Sequence, residues 1–175
     1  KVNTFELKMS LGMFPELKAD RGKHLKPMRK KLKESVGKDA ALLAMAADDF
    51  VVDRTVGERS LKTILAGYPW FADWGRDTFI ALPGLLLCTG RYDAARDTLA
   101  AFASVIKDGL VPNRFDDYSS DESSAHYNSV DAALWFIQAA HAYMDATEDT
   151  DSWNDWLCDA VKSIIEGYIK SAKNR

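Results

Sequence analysis

From Val130 to Asp145 the chain reads Val-Asp-Ala-Ala-Leu-Trp-Phe-Ile-Gln-Ala-Ala-His-Ala-Tyr-Met-Asp, and past its first turn only Gln138 and His141 are polar before the end. A helix apolar nearly all round has to be buried on more than one face, so other helices must cover it. Asn128 or Ser129 is placed to cap it. The neighbouring segments supply candidates for that cover. Tyr92 to Asp108 sets Ala95, Leu99, Phe102, Ala103 and Ile106 on one face, with Gly109 as a stop signal. Ser152 to Ser171 carries one stripe of Trp153, Leu157, Ala160, Val161, Ile164 and Tyr168, while Asp155, Asp159, Lys162 and Glu166 face away, as on an outer helix. A fourth helix runs from Asp77 to about Cys88, kinked where Pro83 lacks a donor and closed by Gly90. A fifth, from Ala40 to about Asp48, is capped by Asp39. One segment departs from this period. Phe50-Val51-Val52 and Leu61-Lys62-Thr63-Ile64-Leu65 are strand-like, with a turn at Val56-Gly57-Glu58, and predict a small β-hairpin near residues 50–66 inserted in a mainly α-helical domain. Helices alternately buried and one-sided suggest two concentric rings.

The exit of that hairpin leads into Tyr-Pro-Trp-Phe-Ala-Asp-Trp-Gly-Arg-Asp-Thr-Phe-Ile-Ala-Leu-Pro-Gly, residues 68–84. Two tryptophans, an Arg-Asp pair and a second aspartate fall within eight residues. Such a set suits a sugar: an aromatic face covers the C–H side of a pyranose, and charged groups make short, directional bonds to its hydroxyls. Asp77-Thr78 reads as a helix entry, so Arg76 and Asp77 would project from a rigid helix mouth. Against this stands the ordinary behaviour of the same residue types. Trp and Phe are most often core, and neighbouring Arg and Asp most often a weak surface pair.

Gly67 to Gly84 resembles the signature of the amylo-α-1,6-glucosidase part of glycogen debranching enzymes. The likeness continues through Leu85-Leu86-Leu87-Cys88-Thr89-Gly90-Arg91-Tyr92, resumes at Gly109-Leu110-Val111-Pro112-Asn113-Arg114-Phe115, and again at Tyr127-Asn128-Ser129-Val130-Asp131-Ala132-Ala133-Leu134-Trp135-Phe136. Several motifs in one order, over about residues 47–145, are far more specific than one. The resemblance implies the N-terminal part of an (α/α)6 barrel, of which about five helices are present. It also implies an inverting hydrolase acting on α-1,6-linked glucose at branch points of glycogen or a related α-glucan. On it, Asp131 is the expected general acid, and Trp74, Arg76, Asp77, Trp70, Asp73, Asn113, Tyr127 and Asn128 the expected substrate-binding residues. The second carboxylate is expected outside this chain, supplied by the missing half of the barrel or by self-association, and the chain alone should be inactive. An aspartate in the first turn of a helix is also ordinary in itself, and the helix dipole there lowers its pKa, the wrong direction for an acid that must hold a proton. Two other readings are consistent with the same residues: a different glucoamylase-like α-glucan hydrolase, or a non-catalytic glucan-binding module.

The chain has 175 residues, 47% hydrophobic, enough for one domain with a sizeable core, assigned to residues 39–175. Its net charge of −3 offers no basic field for nucleic acid. The charge is unevenly spread: residues 1–38 carry +7, a basic arm or linker, and the remainder −10. Cys88 and Cys158 are too few and too far apart for a disulfide framework, and fit buried thiols in a reducing compartment. No run reaches the roughly 18 apolar residues of a membrane span, so a cytoplasmic chain is the default. The acidic loop Pro112–Ala125 has no calcium-ligand spacing, and no metal or organic cofactor is expected. His24, His126 and His141 are assigned no chemistry.

Overall fold

The computed structural model describes residues 30, 34, 37–56, 59–68, 71–115 and 125–173. Two units divide the chain, Lys1–Met45 and Ala46–Arg175. α1 (Lys38–Ala47) begins after Gly37, whose φ of 84° only glycine adopts freely, and the Ala41 N–H donates to the Gly37 carbonyl at 3.1 Å. Asp39 therefore lies inside the first turn and does not cap the helix. The assignment of residues 1–38 as a basic arm falls almost wholly outside the described residues.

The second unit opens with the hairpin. β1 (Val51–Val56) pairs antiparallel with β2 (Arg59–Ile64), Val51 opposite Ile64 and Val56 opposite Arg59, so both strands are longer than the sequence signals. Residues 57 and 58, where the turn was expected, lie outside the described residues. Leu61, Thr63 and Ile64 form the buried side of β2. Two threonines fasten this strand to the helices that follow. Thr78 Oγ1 donates to the Ile64 carbonyl at 3.2 Å, and Thr98 Oγ1 donates to the Lys62 carbonyl at 3.1 Å and to Ala94 in its own helix at 2.7 Å. A buried hydroxyl without a partner would be costly, so these bonds fix where the hairpin sits.

α2 (Gly75–Leu82) runs directly into a π-helical turn, Pro83–Leu87. Proline has no N–H to donate, and the chain absorbs this by widening the turn: the Cys88 N–H reaches the Pro83 carbonyl five residues back at 2.9 Å. Cys88 is thereby left exposed, and Cys158 is half-buried, which corrects the expectation of two buried thiols. Gly90, at φ 71°, turns the chain into α3 (Tyr92–Ala103). That helix is five residues shorter than its pattern promised. Beyond Ser104 the chain must reverse at Asp108 and Gly109, both at positive φ, and a side chain on Gly109 would stand 2.7 Å from the backbone of Gly167.

The expected polar loop is bounded by a strand pair, β3 (Arg114–Phe115) with β4 (Ala125–His126); residues 116–124 lie outside the described residues. α4 (Ala132–Thr147) follows, ending on Glu148 in the left-handed conformation. α5 (Thr150–Ser152), a second π-helical turn at Trp153–Leu157, and α6 (Cys158–Lys173) continue as one helical path. Leu157, Ala160 and Ile164 are buried on it, while Asp155, Asp159, Lys162 and Glu166 are exposed, the one-sided pattern its sequence carries.

The core is centred on Phe79 of α2. Its ring meets Phe102 of α3 edge-on at 4.8 Å and Phe136 of α4 edge-on at 5.3 Å, the geometry that aromatic quadrupoles favour. Leu82, Leu86, Leu99, Ala133, Ala140, Leu157 and Ile164 complete it. α4 contributes Ala132, Ala133, Phe136, Ala139, Ala140 and Tyr143, whereas Leu134 and Trp135 are 46% and 38% exposed. Within this structure α4 is therefore buried along one stripe, where all-round burial was expected. No helix of the described residues is long and apolar enough to cross a membrane.

The junction between α4 and α5 is held by one carboxylate. Asp149 accepts from the Ser152 N–H at 3.0 Å through Oδ1 and from the Tyr143 hydroxyl at 2.5 Å through Oδ2. The Ser152 and Tyr143 bonds together draw the Asp149 pKa from 3.8 down to about 2. Burial first, and then the Asp149 charge, push Tyr143 up to about 12. Because the folded pKa of Asp149 lies below its unfolded value, its contribution is fully present above 3.8 and is lost as the pH falls to about 2. Asp149→Ala should cost about 1 kcal/mol at neutral pH, as for a lost helix cap. In urea titrations the gap between variant and parent should narrow across that acid window.

Candidate active site

The loop entering α2 fixes the first half of the site. Asp73, only 1% exposed, receives both Nε and Nη2 of Arg54 from β1 in a bidentate pair. Burial raises the carboxyl's pKa, and the guanidinium beside it pulls back in the opposite direction. Of the expected sugar-contacting residues, Asp73 is thus turned inward and taken up by the hairpin. Trp74, the residue before the helix, is half-buried and stacks edge-on against Phe71 at 5.8 Å. Trp70 lies outside the described residues.

The free N–H groups at the start of α2 find their partner on a distant segment. The backbone carbonyl of Asn113 accepts from the Gly75 N–H at 2.9 Å, and its side-chain Oδ1 accepts from the Arg76 N–H at 3.3 Å. Asn113 is itself buried and donates its own N–H to the His126 carbonyl at 2.8 Å. One asparagine thus satisfies two of the four orphan donors of the helix and docks it on the β3–β4 pair. The approach is close enough that a Cβ on Gly75 would stand 2.4 Å from the Pro112 carbonyl oxygen, so only glycine fits there. Helix entry is accordingly at Gly75, two residues before the Asp77-Thr78 start expected from the sequence, and Thr78 is spent inward on β2.

Arg76 and Asp77, in this first turn, diverge. Asp77 looks into a groove of about 490 Å³ lined with Phe50, Leu65, Ala66, Ile80 and Gly84. Arg76 points the other way, toward Asp131 at the start of α4, with Nη1 to Oδ2 3.5 Å apart and both side chains about half exposed (48% and 45%). The separation in sequence is 55 residues. The guanidinium and carboxylate therefore approach through one nitrogen and one oxygen on an open surface.

Asp131 is held on its other oxygen by Ser129, whose hydroxyl donates to Oδ1 at 2.6 Å while accepting from the Ala132 N–H at 3.2 Å. Ser129 does the capping, as one of the two residues expected to; Asp131 makes no side-chain cap bond. The Ser129 bond first, and then the Arg76 charge, lower the Asp131 pKa, so it is a carboxylate at neutral pH. The hydroxyl of Tyr168, from α6, donates to the Val130 carbonyl beside it. Burial and then the Asp131 charge raise the Tyr168 pKa. Tyr127 is half-buried with its hydroxyl donated to the Val105 carbonyl at 2.6 Å, and Asn128 is exposed.

Arg54, Ser129 and Tyr168 were not among the site residues expected from sequence, where Ser129 was named only as a cap and Tyr168 only in an apolar stripe. Ser129 lies two positions from Asp131 and was readable as a cap; Arg54 and Tyr168 reach the site from 19 and 38 residues away, with no local signal. Among the described residues no three His, Cys, Asp or Glu side chains gather as a metal site would need.

The family model described as amylo-alpha-1,6-glucosidase matches residues 45–174. A glycogen debranching enzyme of Saccharomyces cerevisiae is 40% identical over 95 residues, a match covering 51% of this chain and 6% of the yeast protein.

Proposed function

The chain belongs to the amylo-alpha-1,6-glucosidase family, and from that premise we propose that it is part of a glycoside hydrolase releasing α-1,6-linked glucose at branch points of glycogen or a related α-glucan. The observation that carries the reading is the approach of Arg76 to Asp131 across 55 residues of sequence, on a surface open to solvent. Arg76 and Trp74 hold the terminal glucose, the guanidinium on its hydroxyls and the indole against its C–H face. Asn113 acts one step back, fixing the backbone from which Arg76 projects.

Asp131 is the general acid. In the free site it is ionised, held by Ser129 and Arg76. A bound glucose that draws the guanidinium onto its own hydroxyls and shields the carboxyl from water removes one lowering influence and adds burial. Both raise the pKa toward that of a proton donor. Asp131 then protonates the glycosidic oxygen as the C1–O bond breaks, while water activated by a second carboxylate attacks C1 from the opposite face. Glucose leaves with inverted configuration. An inverting pair stands about 6.5–9.5 Å apart to admit that water. Asp73, committed to Arg54, and Asp77, directed into another groove, do not suit the second role, so the base comes from outside these residues. The chain by itself is then expected to bind sugar without releasing glucose.

A binding module that never hydrolyses is favoured by the same lowered pKa of Asp131. Isothermal titration with glucose, maltose and isomaltose tests the glucose site common to both readings. Charge-assisted hydrogen bonds are worth about 1.5–3 kcal/mol, so Arg76→Ala should weaken isomaltose about 10- to 100-fold. Equal affinity in the variant would remove the glucose site.

A further inference from the structure

The π-helical turn at Trp153–Leu157 interrupts an otherwise continuous helical path, and such turns are frequent at functional sites. Trp156 lies in this turn. It packs partly on the core, and its remaining surface lines a groove of about 550 Å³ together with Arg59, Ser104, Asp155, Asp159 and Ser163. These come from the end of β2 nearest the hairpin turn, the end of α3, and the α5–α6 path. None of them belongs to the Arg76–Asp131 site.

The chemistry of the lining selects its ligand. A tryptophan face favours an apolar or cationic surface. Two carboxylates in the same groove turn away phosphates and carboxylates, while Arg59 opposes a cation. What remains is a neutral ligand with one C–H face and many hydroxyls, able both to donate to Asp155 and Asp159 and to accept from Arg59. The side chains of Arg59 and Asp155 make no hydrogen bond or ion pair among the described residues, whereas Asp159 pairs with Lys162 at 3.7 Å. The volume falls in the range of small-molecule sites.

We propose that this groove is a second carbohydrate site, taking a short internal stretch of an α-glucan chain. The saccharide class follows from the lining alone; the choice of an α-glucan rests on the function proposed above. A site of this kind would tether the polymer while its branch is presented elsewhere, raising the local concentration of ends.

Titration with maltoheptaose tests it, on the parent chain, on Arg76→Ala, and on two groove variants, Trp156→Ala and the double variant Asp155→Asn/Asp159→Asn. The expected result is that Arg76→Ala keeps one maltoheptaose site of unchanged affinity, while each groove variant weakens that site at least tenfold. Circular dichroism monitors folding. Should Trp156→Ala fail to fold, the isosteric double variant decides. Binding lost in Arg76→Ala but intact in the double variant overturns the groove and leaves the glucose site standing. Absence of maltoheptaose binding by the parent chain also overturns it. Maltoheptaose bound by Arg76→Ala, with isomaltose bound by neither chain, supports the groove and removes the glucose site.

Discussion

Asp73→Ala is expected to destabilise the chain by about 3 kcal/mol, the lower part of the range for breaking a buried ion pair. Asp73 is 1% exposed and Arg54 17%, so the guanidinium keeps some access to water and the full penalty is not reached. The substitution removes both acceptors that Asp73 offers to Arg54 and unfastens the loop preceding α2 from the hairpin. Trp74 and Arg76 lie one and three residues further on, so isomaltose binding should weaken together with stability. Replacing both partners by apolar groups, Arg54→Met with Asp73→Leu, should restore much of the stability, since a well-packed apolar pair often equals a buried ionic one. Urea unfolding of the three variants checks the sequence of effects. An Asp73→Ala chain as stable as the parent would show that the pair does not secure the loop.

This result bears on how much of the molecule was legible beforehand. Periodicity placed the hairpin and five helical segments, because side chains every two or every 3.6 residues record which face is buried. Helix ends were poorly legible. α3 stops at Ala103 because Gly109 must pass against the backbone of Gly167, a contact 58 residues away that no window on the sequence contains. The all-round apolar stretch of α4 overstated its burial here, since Leu134 and Trp135 stay exposed.

The site divides in the same way. The motif pointed to Arg76 and Asp131, and the fold brings them to 3.5 Å of each other. Local sequence placed Asp131 in the first turn of the helix with a depressed pKa; it stands just before the helix, and its pKa is lowered chiefly by the Ser129 hydroxyl. Asp73 and Asp77 were both read as sugar-contacting carboxylates of one motif. Only the third dimension separates them, one beneath Arg54 and the other in a groove beside Ile80 and Gly84. Asn113 was read as a pocket residue; its bonds to the backbone of Gly75 and Arg76 make it a support for the start of α2.

In the proposed function Asp131 delivers a proton to the glycosidic oxygen of a glucose held by Arg76. Asn at position 131 keeps the shape and the Ser129 contact but has no acidic proton to give. General acid catalysis contributes about 10²- to 10⁴-fold. The direct measurement is glucose release from a branched limit dextrin by a debranching polypeptide carrying this chain, with and without Asp131→Asn. The expected result is a fall in kcat of that size with KM little changed. Glucose release at the parent rate from the Asp131→Asn protein would contradict the claim.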